Sequence, residues 1–110
     1  MMEKIDLWKW LDETENKVKD HIEAYLKDAS LDKMLEQASE IISENLPVYY
    51  YQINNLYADF ATTLRTNAHD FTIEGETVQE HVQRIVYDGM YTMAYNRIVS
   101  FIENNYTKKF

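Results

Sequence analysis

The chain has 110 residues, 45% of them apolar, with two glycines, one proline, no cysteine and a net charge of −8. That length suits one domain with a real core, and the scarcity of turn-forming residues argues against an all-β fold. The lack of cysteine excludes a disulfide framework, a thiolate nucleophile and thiolate-ligated metal, and the acidic balance disfavours direct contact with nucleic acid or an anionic membrane and favours a basic partner. No apolar run approaches the ~18 residues of a membrane span, and the acidic N-terminus does not read as a signal peptide, so a cytoplasmic protein is expected.

Helical periodicity predicts four helices, over residues 3–28, 31–44, 47–64 and 78–105. In the first, Trp8, Leu11, Val18, Ile22, Tyr25 and Ala29 follow steps of three, four and seven, with Glu15 the one miss. Leu7 and Trp10 lie off that stripe, where they would cover a second helix or face a partner. Glu13–Lys17, Glu15–Lys19 and Glu23–Lys27 are opposite charges four apart on the other face. Ser30 is a good N-cap for the second helix, whose apolar face is Leu31, Met34, Leu35, Ala38, Ile41 and Ile42.

Pro47 is the one proline. It cannot continue a preceding helix, and it suits the first turn of a new one. The predicted third helix therefore starts there, with one stripe of Tyr49, Ile53, Leu56, Phe60 and Leu64 and a second of Tyr50, Tyr57 and Ala61. Residues 65–76 lose the period; Gly75 marks a turn, and Phe71 and Ile73 would pin the loop to the body. Thr77-Val78-Gln79-Glu80 is a capping box that opens the long last helix. Val78, Val82, Ile85, Val86, Met90, Met93, Ala94, Ile98, Phe101 and Ile102 give that helix a wide apolar sector. Gly89 in mid-helix implies close approach of a neighbour. The expected architecture is an all-α four-helix domain with a long C-terminal helix and one proline-marked junction.

Catalytic signatures are lacking. His21, His69 and His81 are not at metal-pair spacing, none follows a glutamate by three residues, and His21 and His81 fall on predicted polar faces. The serines have helical contexts, and the two glycines form no phosphate loop. No enzyme, cofactor or metal site is expected; an enzyme built on clustered carboxylates is the remotest alternative. The second helix is more distinctive. Asp32, Glu36, Glu40 and Glu44 recur every fourth residue, with Lys33 alone for compensation. Successive acids there lie about 6 Å apart along the axis, close to two phosphate steps of ~3.4 Å along one DNA strand. The ridge is either the solvated face of an amphipathic helix or a phosphate-like comb. The first 46 residues hold 12 acids and 6 bases (net −6), the remaining 64 hold 7 and 5 (net −2), so most of the excess charge precedes Pro47. A second ladder, Tyr87, Tyr91 and Tyr95, reads as core edge or as a homodimer seam.

The run Ile41-Ile42-Ser43-Glu44-Asn45-Leu46-Pro47-Val48-Tyr49-Tyr50, then Ile53 and Ala58, and later Arg84-Ile85-Val86-Tyr87-Asp88-Gly89-Met90 and Phe101-Ile102-Glu103-Asn104-Asn105-Tyr106, resembles the Ocr-type phage antirestriction proteins, small acidic helical DNA mimics. The resemblance spans roughly residues 31–106. It implies a non-enzymatic phage or mobile-element inhibitor, acting in the host cytoplasm as a homodimer, that fills the basic DNA-binding groove of a restriction–modification or other defence enzyme. Asp32, Glu36, Glu40 and Glu44 would then stand in for phosphates. The alternative is a small homodimeric protein–protein interaction module without mimicry, using Trp10, Tyr87, Gly89, Met90 and Tyr91 as its surface.

Overall fold

The computed structural model describes residues 5–64 and 73–106, with the backbone alone for residues 59–64. It is an all-α domain of four helices: α1 (Leu7–Tyr25), α2 (Leu31–Glu44), α3 (Tyr50–Leu64) and α4 (Val78–Tyr106). The last of these packs against each of the other three, and α1 also packs on α2. At ~1.5 Å per residue, the 29 residues of α4 run about 43 Å, close to the 45 Å long dimension of the molecule.

The start of α1 is later than the period alone implied, and the reason is a cap. Asp6 sits in extended backbone, and its carboxylate accepts from the amides of Trp8 at 3.0 Å and Lys9 at 3.3 Å. Those amides have no partner within the helix, so an aspartate there fixes Leu7 as its first residue. The buried stripe is also different. It steps strictly by four through Trp10, Thr14, Val18, Ile22 and Leu26, with Leu11 beside it. Trp8 is 61% exposed and Tyr25 is exposed too, whereas Trp10 is 9% exposed. Residues two apart on a helix point about 200° apart, so only one of the two tryptophans can face the core. Thr14 occupies the inward position next to the apparent miss at Glu15. Of the three ion pairs expected on this helix, Glu15–Lys19 forms at 3.3 Å, while the Lys17 ammonium instead donates to Asn45 Oδ1 at 2.6 Å.

The second helix forms as predicted. Ser30 Oγ accepts from the Lys33 amide at 3.2 Å, and Met34, Ala38 and Ile42 are buried, with Leu35 and Ile41 half-buried and Leu31 exposed. The third begins three residues after Pro47. Its first backbone bonds go to the Tyr49 carbonyl, from Gln52 at 3.0 Å and Ile53 at 3.1 Å. The carbonyl of Pro47, which an earlier start would use for the first turn, accepts instead from the Tyr87 hydroxyl of α4. Ile53 and Leu56 are buried as expected, but Tyr49 and Tyr50 are exposed. The side chains of Phe60, Ala61 and Leu64, and Phe71 and His69 entirely, lie outside the described residues.

Gly75 adopts a φ of +83° at the third position of a turn closed by the Glu76 amide on the Ile73 carbonyl at 3.0 Å, a backbone state that suits glycine. Ile73 is exposed and does not pin the loop. The capping box forms reciprocally: Glu80 N donates to Thr77 Oγ1 at 3.1 Å, and Thr77 N donates to Glu80 Oε1 at 3.3 Å. Along α4 the fully buried side chains are Val82, Val86, Met90, Ala94, Ile98 and Ile102, again four apart. Each four-residue step turns about 40° around the helix, so the stripe winds by about 200° from end to end. Winding is how one helix buries successive sectors against three partners. At the far end, Arg97 Nη1 reaches Asp12 at 2.9 Å and Glu15 at 3.5 Å, and the Lys19 ammonium lies 4.9 Å from the Phe101 ring centroid, tying α4 to α1.

Candidate interaction surface

The α2–α3 corner is held from two sides. Trp10 Nε1 of α1 donates to the Asn45 carbonyl at 2.7 Å, and Lys17 holds the Asn45 side-chain oxygen. Asn45 Nδ2 reaches back to the Ile41 carbonyl at 2.7 Å, while its backbone amide bonds Ile42 at 3.1 Å. Tyr87 of α4 binds the Pro47 carbonyl, and Pro47 itself is buried. Backbone polar groups in an irregular corner must find partners, and here side chains of two neighbouring helices supply them. The result is a fixed platform.

What the platform presents is apolar. Val48 is 77% exposed, Tyr49 49%, Tyr50 40% and Tyr51 40%, with the rings of Tyr49 and Tyr51 6.4 Å apart and tilted. Single exposed hydrophobic residues such as Trp8, Leu31 and Val78 are ordinary on a protein surface. Four consecutive ones on pinned backbone are not. Tyrosine gives large, stiff contact area with two rotatable side-chain bonds and a hydroxyl at the rim, the chemistry found at protein interfaces.

The residues singled out from sequence divide in three. Asp32, Glu36, Glu40 and Glu44 are all exposed. They lie two positions from Met34, Ala38 and Ile42, about 200° around the helix, and so face directly away from the core. Lys33 sits 3.9 Å from Glu36. The comb is not straight: four carboxylates four apart turn through about 120° along α2. Trp10 and Met90, offered as partner surface, are core instead. Tyr87, Gly89 and Tyr91 are half-buried; the Tyr87 hydroxyl is spent on Pro47, while that of Tyr91 lies 2.5 Å from Ser39 Oγ and its ring stacks on Tyr95 at 5.7 Å. The tyrosine ladder thus works inside the fold, as core edge.

A polar cluster that the sequence reading missed lies where the turn at Gly75 meets α4. His81, expected on a polar face, is 6% exposed, with its ring edge-on to Tyr57 at 5.9 Å. Glu76 is nearly as buried. Its Oε1 accepts from Arg84 Nε at 2.7 Å, and its Oε2 accepts from Arg84 Nη2 at 3.1 Å and the Ile73 amide at 3.3 Å. His81 Nδ1 lies 3.3 Å from Glu76 Oε2 and from Arg84 Nη2. The only sequence hint was that His81 and Arg84 are one turn apart and share a face.

The Arg84 guanidinium, hydrogen-bonded to Glu76, holds that carboxyl down at about 2 against the opposing effect of desolvation, with the Ile73 amide and His81 adding to the shift. The same pairing raises Arg84 above its ordinary value. A carboxylate so saturated is a poor proton acceptor near neutrality and a good staple for residues 73–77. A carboxyl depressed in the folded state contributes stability above its unfolded value near 4.5 and loses it as pH falls toward about 2. The melting temperature of the wild type should therefore fall more steeply over that window than that of Glu76→Gln. Parallel profiles in pH-jump thermal melts would remove the staple.

Among the described residues, no three histidine, aspartate or glutamate side chains converge as a metal site requires, and no helix is long and apolar enough to cross a membrane. Comparison with protein-family models, with curated proteins and with solved structures gave no match for this chain.

Proposed function

We propose that this chain is a small helical protein–protein interaction module whose contact surface is the corner Val48–Tyr51. The observation that carries the reading is four consecutive exposed apolar side chains on a backbone clamped by Trp10, Lys17 and Tyr87. A clamped platform loses little conformational freedom on binding, so burying its rings turns into affinity more fully than burial of a mobile loop would. The reading needs no catalysis and no cofactor.

A second reading keeps the DNA mimicry that the family resemblance implies. It is supported by the exposure of Asp32, Glu36, Glu40 and Glu44 on the outward face of α2. An outward acidic face is also what any amphipathic helix of an acidic protein presents, and this is why the corner is preferred. The two readings separate in one experiment. Immobilised wild type, a Val48→Ser/Tyr50→Ser/Tyr51→Ser variant and a Glu36→Lys/Glu40→Lys/Glu44→Lys variant are each used to capture proteins from an extract of the source cells. Partners retained by wild type should be lost by the corner variant, with modest dependence on salt. Capture that survives in the corner variant but vanishes on charge reversal, and weakens steeply with salt, would transfer the function to the acidic ridge.

A further inference from the structure

We infer that the corner takes a segment of a different protein that is at once apolar and basic: aliphatic or aromatic anchors for the tyrosine faces, flanked by lysine or arginine. The inference rests on the interaction reading above and adds the chemistry of the partner.

Three observations give the sign of the charge. The acidic ridge of α2 runs straight into the corner: Glu44 precedes Val48 by four residues, which caps their separation at about 14 Å even in extended chain. A partner segment of a few turns therefore spans both. The last turn of α2 carries no basic residue, so the negative end of its dipole adds to Glu40 and Glu44 there. Arg84, one turn before Tyr87 on α4, is paired with Glu76, and the single Lys17 ammonium on neutral Asn45 stands against three exposed acids, Glu40, Glu44 and Asp88. Lysine or arginine arriving with the partner would thus meet carboxylates at the rim and the faces of Tyr49, Tyr50 and Tyr51, which attract cations as well.

The same charges argue against a second copy of this chain. A two-fold interface brings each patch against itself. Centred on Val48–Tyr51, it would join two chains that each carry −8. Apolar burial would then work against the repulsion between two acidic chains, whereas a basic partner gains from both.

The test is selection of a displayed random-peptide library on the wild-type protein, with counter-selection on Val48→Ser/Tyr50→Ser/Tyr51→Ser, followed by fluorescence anisotropy on the synthesised winner. Enriched peptides should combine Leu, Phe, Trp or Met anchors with net positive charge. The corner variant should weaken the winner by roughly thirtyfold, the size of a lost hot spot, and Glu40→Lys/Glu44→Lys should weaken it by roughly tenfold. Amide NMR shifts on titration should centre on Val48–Tyr51, and unchanged dispersion of the remaining amides would show that the variants are folded. Apolar peptides that are neutral or acidic would overturn the basic partner and leave the interaction reading standing. Basic peptides without anchors, binding the corner variant as well as wild type, would overturn both in favour of the acidic ridge. A dimer in sedimentation that the corner variant dissolves would make the patch a self-interface and overturn the hetero-partner. No enrichment that depends on the corner would overturn both readings.

Discussion

Trp10→Ala should lower the free energy of unfolding by about 3–5 kcal/mol, whereas Trp8→Ala should change it by no more than about 0.5 kcal/mol. The two residues have the same chemistry, one turn of the same helix and opposite fates. Trp10 fills core between α1 and the corner, and its indole N–H satisfies the Asn45 carbonyl at 2.7 Å. Truncation removes a large buried ring and also strips a partner from a carbonyl at the head of the corner, so the loss combines a cavity with an unmade hydrogen bond. A domain of this size has a stability on the order of 5–15 kcal/mol in all. Trp10→Ala should therefore remove about a fifth or more of it, and the melting temperature should drop by roughly 15 °C or more. Urea denaturation of both variants beside wild type settles the matter. A lower midpoint for Trp8→Ala than for Trp10→Ala would mean that α1 packs in the other register, and equal midpoints would refute Trp10 as the core residue of the pair.

The second large effect contrasts two methionines on α4. Met90 is fully buried and Met93 half-buried. Met90→Ala should cost about 2–5 kcal/mol, and Met93→Ala less than about half of that, because a side chain already touching water leaves a smaller void when it is removed. Met90 sits on the four-residue stripe that joins Val86 to Ala94; Met93 is three positions along, about 300° around the helix. If α4 presented one straight apolar face, as a helix with a single partner does, both methionines would contribute alike. Matching losses in chemical denaturation would refute a stripe that winds.

Much of the local structure was legible in the residues themselves. Ser30, Thr77 with Glu80, and Gly75 each announce a boundary through chemistry that acts within a few residues, and the structure places a cap, a capping box and a positive-φ turn at those positions. Helix number, order and type follow from period and breakers. The start of α3 was not legible, because it turns on a hydroxyl 40 residues away: Tyr87 takes the Pro47 carbonyl that a helix beginning there would use. His81 was misplaced for a related reason. A histidine at a polar helical position is normally solvated, and what buries this one is Tyr57 from α3 and Glu76 from the turn.

The candidate surface shows the same division. Tyr49 and Tyr50 read from the period as the first positions of the two apolar stripes of the third helix. Only the packing reveals them as exposed, since burial depends on whether a neighbour arrives on that side, and α4 covers the side carrying Ile53 and Leu56. The acids of α2 were the converse case. Spacing by four, offset by two from the apolar residues, places them opposite the core whatever the partners are.

From its order of residues alone, this chain determined four helices, the N-caps of the second and fourth, the corner at its one proline and the outward sign of charge on α2. Each of these is a short-range matter of backbone stereochemistry and periodicity. The tertiary structure decided which tryptophan is core, how far the stripe of α4 winds, and that four apolar residues after Pro47 stay in water. Those outcomes depend on which surfaces meet, and a helix with apolar residues on more than one side can satisfy its own period in several registers until its neighbours choose among them.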